Sequence, residues 1–111
     1  MVARDDRLSS AQKAAILDPE NSLLVSAATA YEYAHLLKDG RLPIVETFAA
    51  LQRDIGFELL DLPAKIWETI DTLPIIHRDP IDRMLVAHGI VAGLTVVTAD
   101  RNIKLYPVKT I

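Results

Sequence analysis

The 111 residues suit one compact domain, 1–111, and leave no room for two. Half are hydrophobic and only 24% are charged, which argues against disorder, and the lack of cysteine excludes both a disulfide framework and a thiolate metal site. A net charge of −3 excludes nucleic-acid binding by basic surplus alone; such binding would need a local basic rim, bound cations, or both.

The N-terminal stretch Met1-Val-Ala-Arg-Asp-Asp-Arg7 has no apolar core and does not read as a secretory leader. No apolar run nears the roughly 18 residues of a membrane span. A soluble, cytoplasmic protein without membrane contact is therefore expected. Ser9-Ser10 followed by Ala-Gln-Lys-Ala-Ala-Ile-Leu reads as a capped helix ending at Asp18-Pro19. Leu23-Leu24-Val25 is a short apolar run with the character of a buried strand. Ser26 or Thr29 caps a second helix running to about Lys38, stopped by Asp39-Gly40. Pro43 opens a third helix, roughly Val45 to Asp54, with Phe48, Leu51 and Ile55 at helical spacing.

After Gly56, Phe57 to Leu62 reads as a strand, and Pro63 starts a short helix through Trp67 and Ile70. Asp79-Pro80 opens a strong helix to about Val91, ended by Gly93. Leu94 to Thr98 is a second apolar strand, and Val108 to Ile111 a third, after a turn at Arg101–Leu105. Strands alternate with helices, and the strands do not alternate in polarity. Both features predict an α/β fold with a parallel sheet flanked by helices.

Three blocks resemble, in order, the VapC-type toxins among the PIN-domain ribonucleases. Ser26-Ala-Ala-Thr-Ala-Tyr-Glu-Tyr-Ala-His-Leu-Leu-Lys-Asp-Gly-Arg-Leu-Pro43 is similar to that family's second helix and its Gly-Arg-Leu-Pro exit. His77-Arg-Asp-Pro-Ile-Asp-Arg-Met-Leu-Val-Ala87 resembles its His-Arg-Asp-Pro-Phe-Asp-Arg-Met-Leu-Ile-Ala block, and Leu94-Thr-Val-Val-Thr-Ala-Asp100 its Leu-Val-Thr-Ala-Asp strand end. The resemblance implies a toxin that cleaves RNA, is held by a cognate antitoxin protein, and forms a homodimer. It also implies divalent metal, Mg²⁺ or Mn²⁺, on clustered carboxylates, which here are Glu32, Asp82 and Asp100. Hard oxygen ligands suit these ions, which neutralise phosphate charge and lower the pKa of bound water. Arg78, Arg83, Arg101 and Lys104 are the candidates for the basic rim that meets RNA.

Each acid also has an ordinary structural reading. Thr29-x-x-Glu32 is a capping-box pattern, Asp79-Pro80-Ile81-Asp82 sets an acid in a first helical turn, and Asp100 is placed to cap the turn at Arg101–Lys104. Taken together they point elsewhere. Asp100 lies just past the carboxyl end of an apolar strand, where open α/β sheets place ligand sites, and three acids at one edge repel one another without a cation. Asp79 reads as a cap, and Thr98 as a strand terminator able to bond a neighbouring carboxylate. His35, His77 and His88 share no metal-ligand spacing. Trp67, Tyr31 and Tyr33 read as core or rim packing, with Tyr31 the one that has base contact as a second reading.

The family opens with a central strand ending in an Asp ligand. Met1 to Ser10 aligns only after that strand, so the chain is expected to lack it, with Met1 an internal methionine of a longer reading frame. A gap there predicts lower stability, strands drawn together, or pairing borrowed from a second copy. Asp5-Asp6 has no strand before it and is read as loop. The alternative to a working nuclease is a catalytically impaired relic that acts as a protein-binding or dimerisation module.

Overall fold

The computed structural model describes residues 9–41, 46–76, 78–98 and 100–111. The expectations that rest on Met1, Asp5-Asp6, the missing first strand, Pro43 and His77 therefore lie outside the described residues. The first helix, α1 (Ser10–Leu17), forms where its signals predict. The Ser9 hydroxyl accepts from the Gln12 amide at 3.1 Å while Gln12 Oε1 accepts from the Ser9 amide at 2.8 Å. This reciprocal box satisfies two donors that a helix start leaves orphaned. The helix stops at Leu17 because Asp18 precedes a proline and turns extended.

Strand β1 (Leu24–Ser26) runs directly into α2 (Ala27–Lys38), and Ser26 serves both elements. Its hydroxyl accepts from the Ala28 amide at 3.1 Å, so Ser26 is the cap and Thr29 is already helical. At the far end Gly40 (φ 67°) takes the left-handed conformation that lets the Arg41 amide reach the Leu36 carbonyl, and the helix closes there. Helix α3 (Phe48–Ile55) starts on Thr47, later than the pattern suggested, because the Thr47 hydroxyl accepts from the Ala50 amide at 3.2 Å. Its Phe48 ring meets Tyr33 and Phe57 edge-on, with centroids 5.8 and 5.2 Å apart.

The chain then forms β2 (Glu58–Leu60), which pairs in parallel with β1 in the register Leu24↔Glu58, Val25↔Leu59, Ser26↔Leu60. Two helices form the crossover, as parallel neighbours require. Helices α4 (Ile66–Thr72) and α5 (Pro80–Ala92) pack on each other and supply much of the core. Ile66, Leu73, Leu85, Val86 and Ala87 are buried there with Val96, Ile103 and Tyr106. Of the two further strands expected, the described residues show one parallel bridge, Val96↔Thr110, followed by a bond from the Thr98 amide to the Ile111 carbonyl at 3.3 Å. Between them lies a short 3₁₀ turn, Ile103–Leu105. Among the described residues the architecture is thus α/β, with a small parallel sheet flanked by five helices, as the alternation of elements predicts.

Gly89 explains how α5 comes so close to the Val96 segment. A Cβ built on it would lie 3.0 Å from both Val96 Cγ2 and Val108 Cγ2. Alanine gains about 1 kcal/mol in helix propensity, but overpacking a close-packed site costs about 1–3 kcal/mol. The second effect is expected to win. Gly89→Ala should lower the melting temperature by several degrees, and an unchanged or raised melt would show that this contact yields freely.

Candidate functional site

The site is built where β1 hands over to α2, where α5 begins, and where the Val96 segment ends. The first two are joined by a buried polar contact. Ser26 Oγ lies 2.8 Å from His88 Nδ1, with Ser26 0% and His88 1% exposed. This bond pins the start of α2 to the middle of α5, six residues beyond Asp82. Burial lowers the His88 pKa from its ordinary 6.5, so the ring is neutral at pH 7. No partner for His88 is legible in the sequence; its neighbour is defined only once the two helices are placed.

Glu32 lies in the second turn of α2 and is half-buried. Because Ser26 caps that helix, the Thr29-x-x-Glu32 pattern lies inside it and not at its start. Asp82, also half-buried, is the third residue of α5. Here the cap is Asp79, whose carboxylate accepts from the Ile81 amide at 2.9 Å and the Asp82 amide at 3.3 Å. Asp79 is the structural acid of this pair, as expected.

Asp100 does have a local duty. Its Oδ1 accepts from the Asn102 amide at 2.8 Å, so it caps the turn as its ordinary reading anticipated. Its own amide donates to Thr98 Oγ1 at 3.0 Å. Thr98 therefore bonds the backbone next to the acid. Behind Thr98 stands Gln12, a residue that sequence reasoning missed. Its amide nitrogen donates to the Thr98 carbonyl at 2.6 Å and to the Ile111 carbonyl at 2.7 Å. The Ser9-x-x-Gln12 spacing was the available signal, but it spoke only for helix capping.

The expected basic rim divides in two. Arg78, Arg101 and Lys104 are exposed. Arg83 is half-buried and donates to the Pro74 carbonyl at 3.0 Å, the Tyr106 hydroxyl at 3.3 Å and the Ile70 carbonyl at 3.3 Å, so it ties α5 to α4 and to the turn after it. Trp67 is 71% exposed, which leaves it the rim and not the core of the two places expected for it. Tyr31 is 63% exposed and stacks on His35, with centroids 6.2 Å apart, and His35 pairs with Asp39 at 3.3 Å. Tyr33 instead packs against Phe48. No helix among the described residues is long and apolar enough to cross a membrane.

Three carboxylates are chemically suited to a hard cation. Among the described residues, however, no group of three or more His, Asp or Glu is gathered closely enough to hold one. A closed three-acid cage is therefore not what this arrangement offers.

The chain matches the family model described as PIN domain over residues 1–109. It belongs to the PIN domain family, whose members are nucleases in general and typically use divalent metal. No curated protein and no solved structure matches it.

The burial of His88 makes stability depend on pH. The unfolded chain takes up a proton near the ordinary 6.5, whereas native His88 resists it. Below that pH the unfolded state binds more protons, so stability falls with acidification until the lowered native pKa is passed. The melting temperature should decline from about pH 7 downward, and His88→Gln should flatten that part of the slope. An identical slope in the variant would assign the effect to other groups.

Proposed function

We propose that this PIN-domain chain is a metal-dependent endoribonuclease, the toxin of a VapC-type toxin–antitoxin pair, acting in the cytoplasm. The observation that carries the proposal is the placing of its acids. Ser26 and Asp79 are the N-caps of α2 and α5, and Glu32 and Asp82 are half-buried carboxylates that follow them on the same two helices. Asp100 adds a third at the end of the Val96 segment. Carboxylate oxygens are the donor type that a hard divalent cation takes.

Mg²⁺ keeps several of its waters and is commonly held by one or two carboxylates together with substrate phosphates. A set of acids that does not close into a cage suits a cation that is completed by RNA. The metal supplies charge neutralisation at the phosphate and an activated water. The protein's share is orientation: Glu32 and Asp82 on two helices joined through Ser26 and His88, and Asp100 at the turn beyond Thr98. Arg78, Arg101 and Lys104 offer exposed cations to the RNA backbone, which an acidic protein needs locally. A cognate antitoxin and a second copy of the chain are the proposed protein partners. Exposed Trp67, Ile75 and Leu105 supply apolar surface for such contacts.

Purified protein should cleave RNA in the presence of Mn²⁺, and Asp82→Asn or Glu32→Gln should lower kcat about 10²-fold or more, as loss of a charge-stabilising group does. Cleavage that survives Asp82→Asn would be contamination and would sink the proposal. Failure of the native chain to cleave any RNA while it still binds a partner would favour the binding-module reading. Mn²⁺ should also bind more tightly with a non-cleavable RNA present than without it; equal affinity would argue for a preformed cage.

A further inference from the structure

We propose that Gln12 is a positioning residue that sets the place of Asp100, a role that rests on Asp100 belonging to the nuclease site. Gln12 is only 3% exposed, and its side-chain amide is bonded at both ends. One end accepts from the Ser9 amide, and the other donates both hydrogens to main-chain oxygens of two different segments. Those segments are joined by the Val96↔Thr110 bridge, by the Ile111 amide on the Val96 carbonyl at 3.1 Å, and by the Thr98 amide on the Ile111 carbonyl. Gln12 thus adds two short bonds where this pairing ends.

The consequence reaches Asp100 in one step. Gln12 holds the Thr98 carbonyl, the Thr98 hydroxyl accepts from the Asp100 amide, and the Asp100 carboxylate accepts from Asn102. Without the clamp, the Thr98 and Ile111 carbonyls each lose a buried donor, and the segment beyond Thr98 gains freedom. A misplaced catalytic group costs rate more than binding, because only the aligned geometry reaches the transition state.

Three substitutions separate this role from simple helix capping. Ser9→Ala removes half of the capping box and leaves both clamp bonds. Gln12→Leu removes clamp and box together. Gln12→Glu keeps an acceptor for the Ser9 amide but sets a carboxylate against two carbonyl oxygens; once protonated, that carboxyl can donate one bond back.

The experiment measures kcat and KM for Mn²⁺-dependent RNA cleavage, with amide hydrogen exchange at Thr98, Asp100 and Ile111 in the same proteins. Both Gln12 variants should lower kcat on the order of 10-fold, with KM moving by less than about twofold. They should speed exchange at Thr98 and Asp100, whereas Ser9→Ala should do neither. The activity of Gln12→Glu relative to native protein should rise as pH falls from about 8 to about 6. If Ser9→Ala matches Gln12→Leu in rate and exchange, Gln12 is a helix cap and the proposal is overturned. Unchanged exchange at Thr98 and Asp100 in Gln12→Leu overturns it as well. If the native chain cuts no RNA, the nuclease reading fails on its own, and the exchange data alone decide whether Gln12 positions Asp100.

Discussion

Two helices from distant parts of the chain carry Glu32 and Asp82, and the Ser26–His88 hydrogen bond holds those helices to each other. Ser26 can do this because it occupies a hinge between elements, as the last residue of β1 and the cap of α2. Its hydroxyl satisfies the Ala28 amide and meets the His88 ring at once. Such a bond contributes only about 1 kcal/mol net, but leaving a buried imidazole without its partner costs about 1–3 kcal/mol. The asymmetry makes this contact specify an arrangement more than it adds stability. Apolar packing alone would tolerate a small slide of α2 along α5; the polar pair does not.

Around that joint, several polar groups hold elements of the fold in place. Asp79 and Ser26 cap helices, Arg83 links α5 to α4 and Tyr106, and Gln12 closes the end of the Val96–Thr110 pairing. Of the two acids at the start of α5 it is Asp79 that is the N-cap, and of two nearby arginines Arg78 is exposed while Arg83 is half-buried and bonded. Sequence alone cannot make this division, because a helix start favours an acid whichever role it has. Hydrogen-bond partners make it, residue by residue.

The elements themselves were largely legible. Ser9, Asp18-Pro19, Gly40, Gly56, Asp79-Pro80 and Gly93 all mark boundaries through backbone chemistry that acts within a few residues, and α1, α2, α3 and α5 each begin or end on one of them. The strands were less so. The Leu94–Thr98 run has the composition of a buried strand, yet the described residues show one bridge there, since ladder length depends on partners that a local pattern does not specify. Gln12 and His88 were illegible as site elements for a related reason. Their bonds span 86 and 62 positions of chain, and a lone polar residue in an apolar helix carries no mark of its partner. The acids lay between these cases: the resemblance marks Glu32, Asp82 and Asp100, and the structure shows which residues cap the helices that carry the first two.

Asp100 shows why a structural duty and a site role need not compete. An unconstrained aspartate samples several side-chain rotamers, and ordering it on a ligand costs entropy at the moment of binding. Here one carboxylate oxygen already holds the Asn102 amide, while the residue's own amide is held by Thr98. Orientation is therefore settled during folding. The capping bond that counted against Asp100 as a ligand is also what would make it an effective one. The same reasoning gives Thr98 its value, as a fully buried residue whose hydroxyl and carbonyl connect the clamp behind it to the acid in front. Loss of that connection would leave the carboxylate in place chemically but free in orientation, and an electrostatic site depends on orientation as much as on charge.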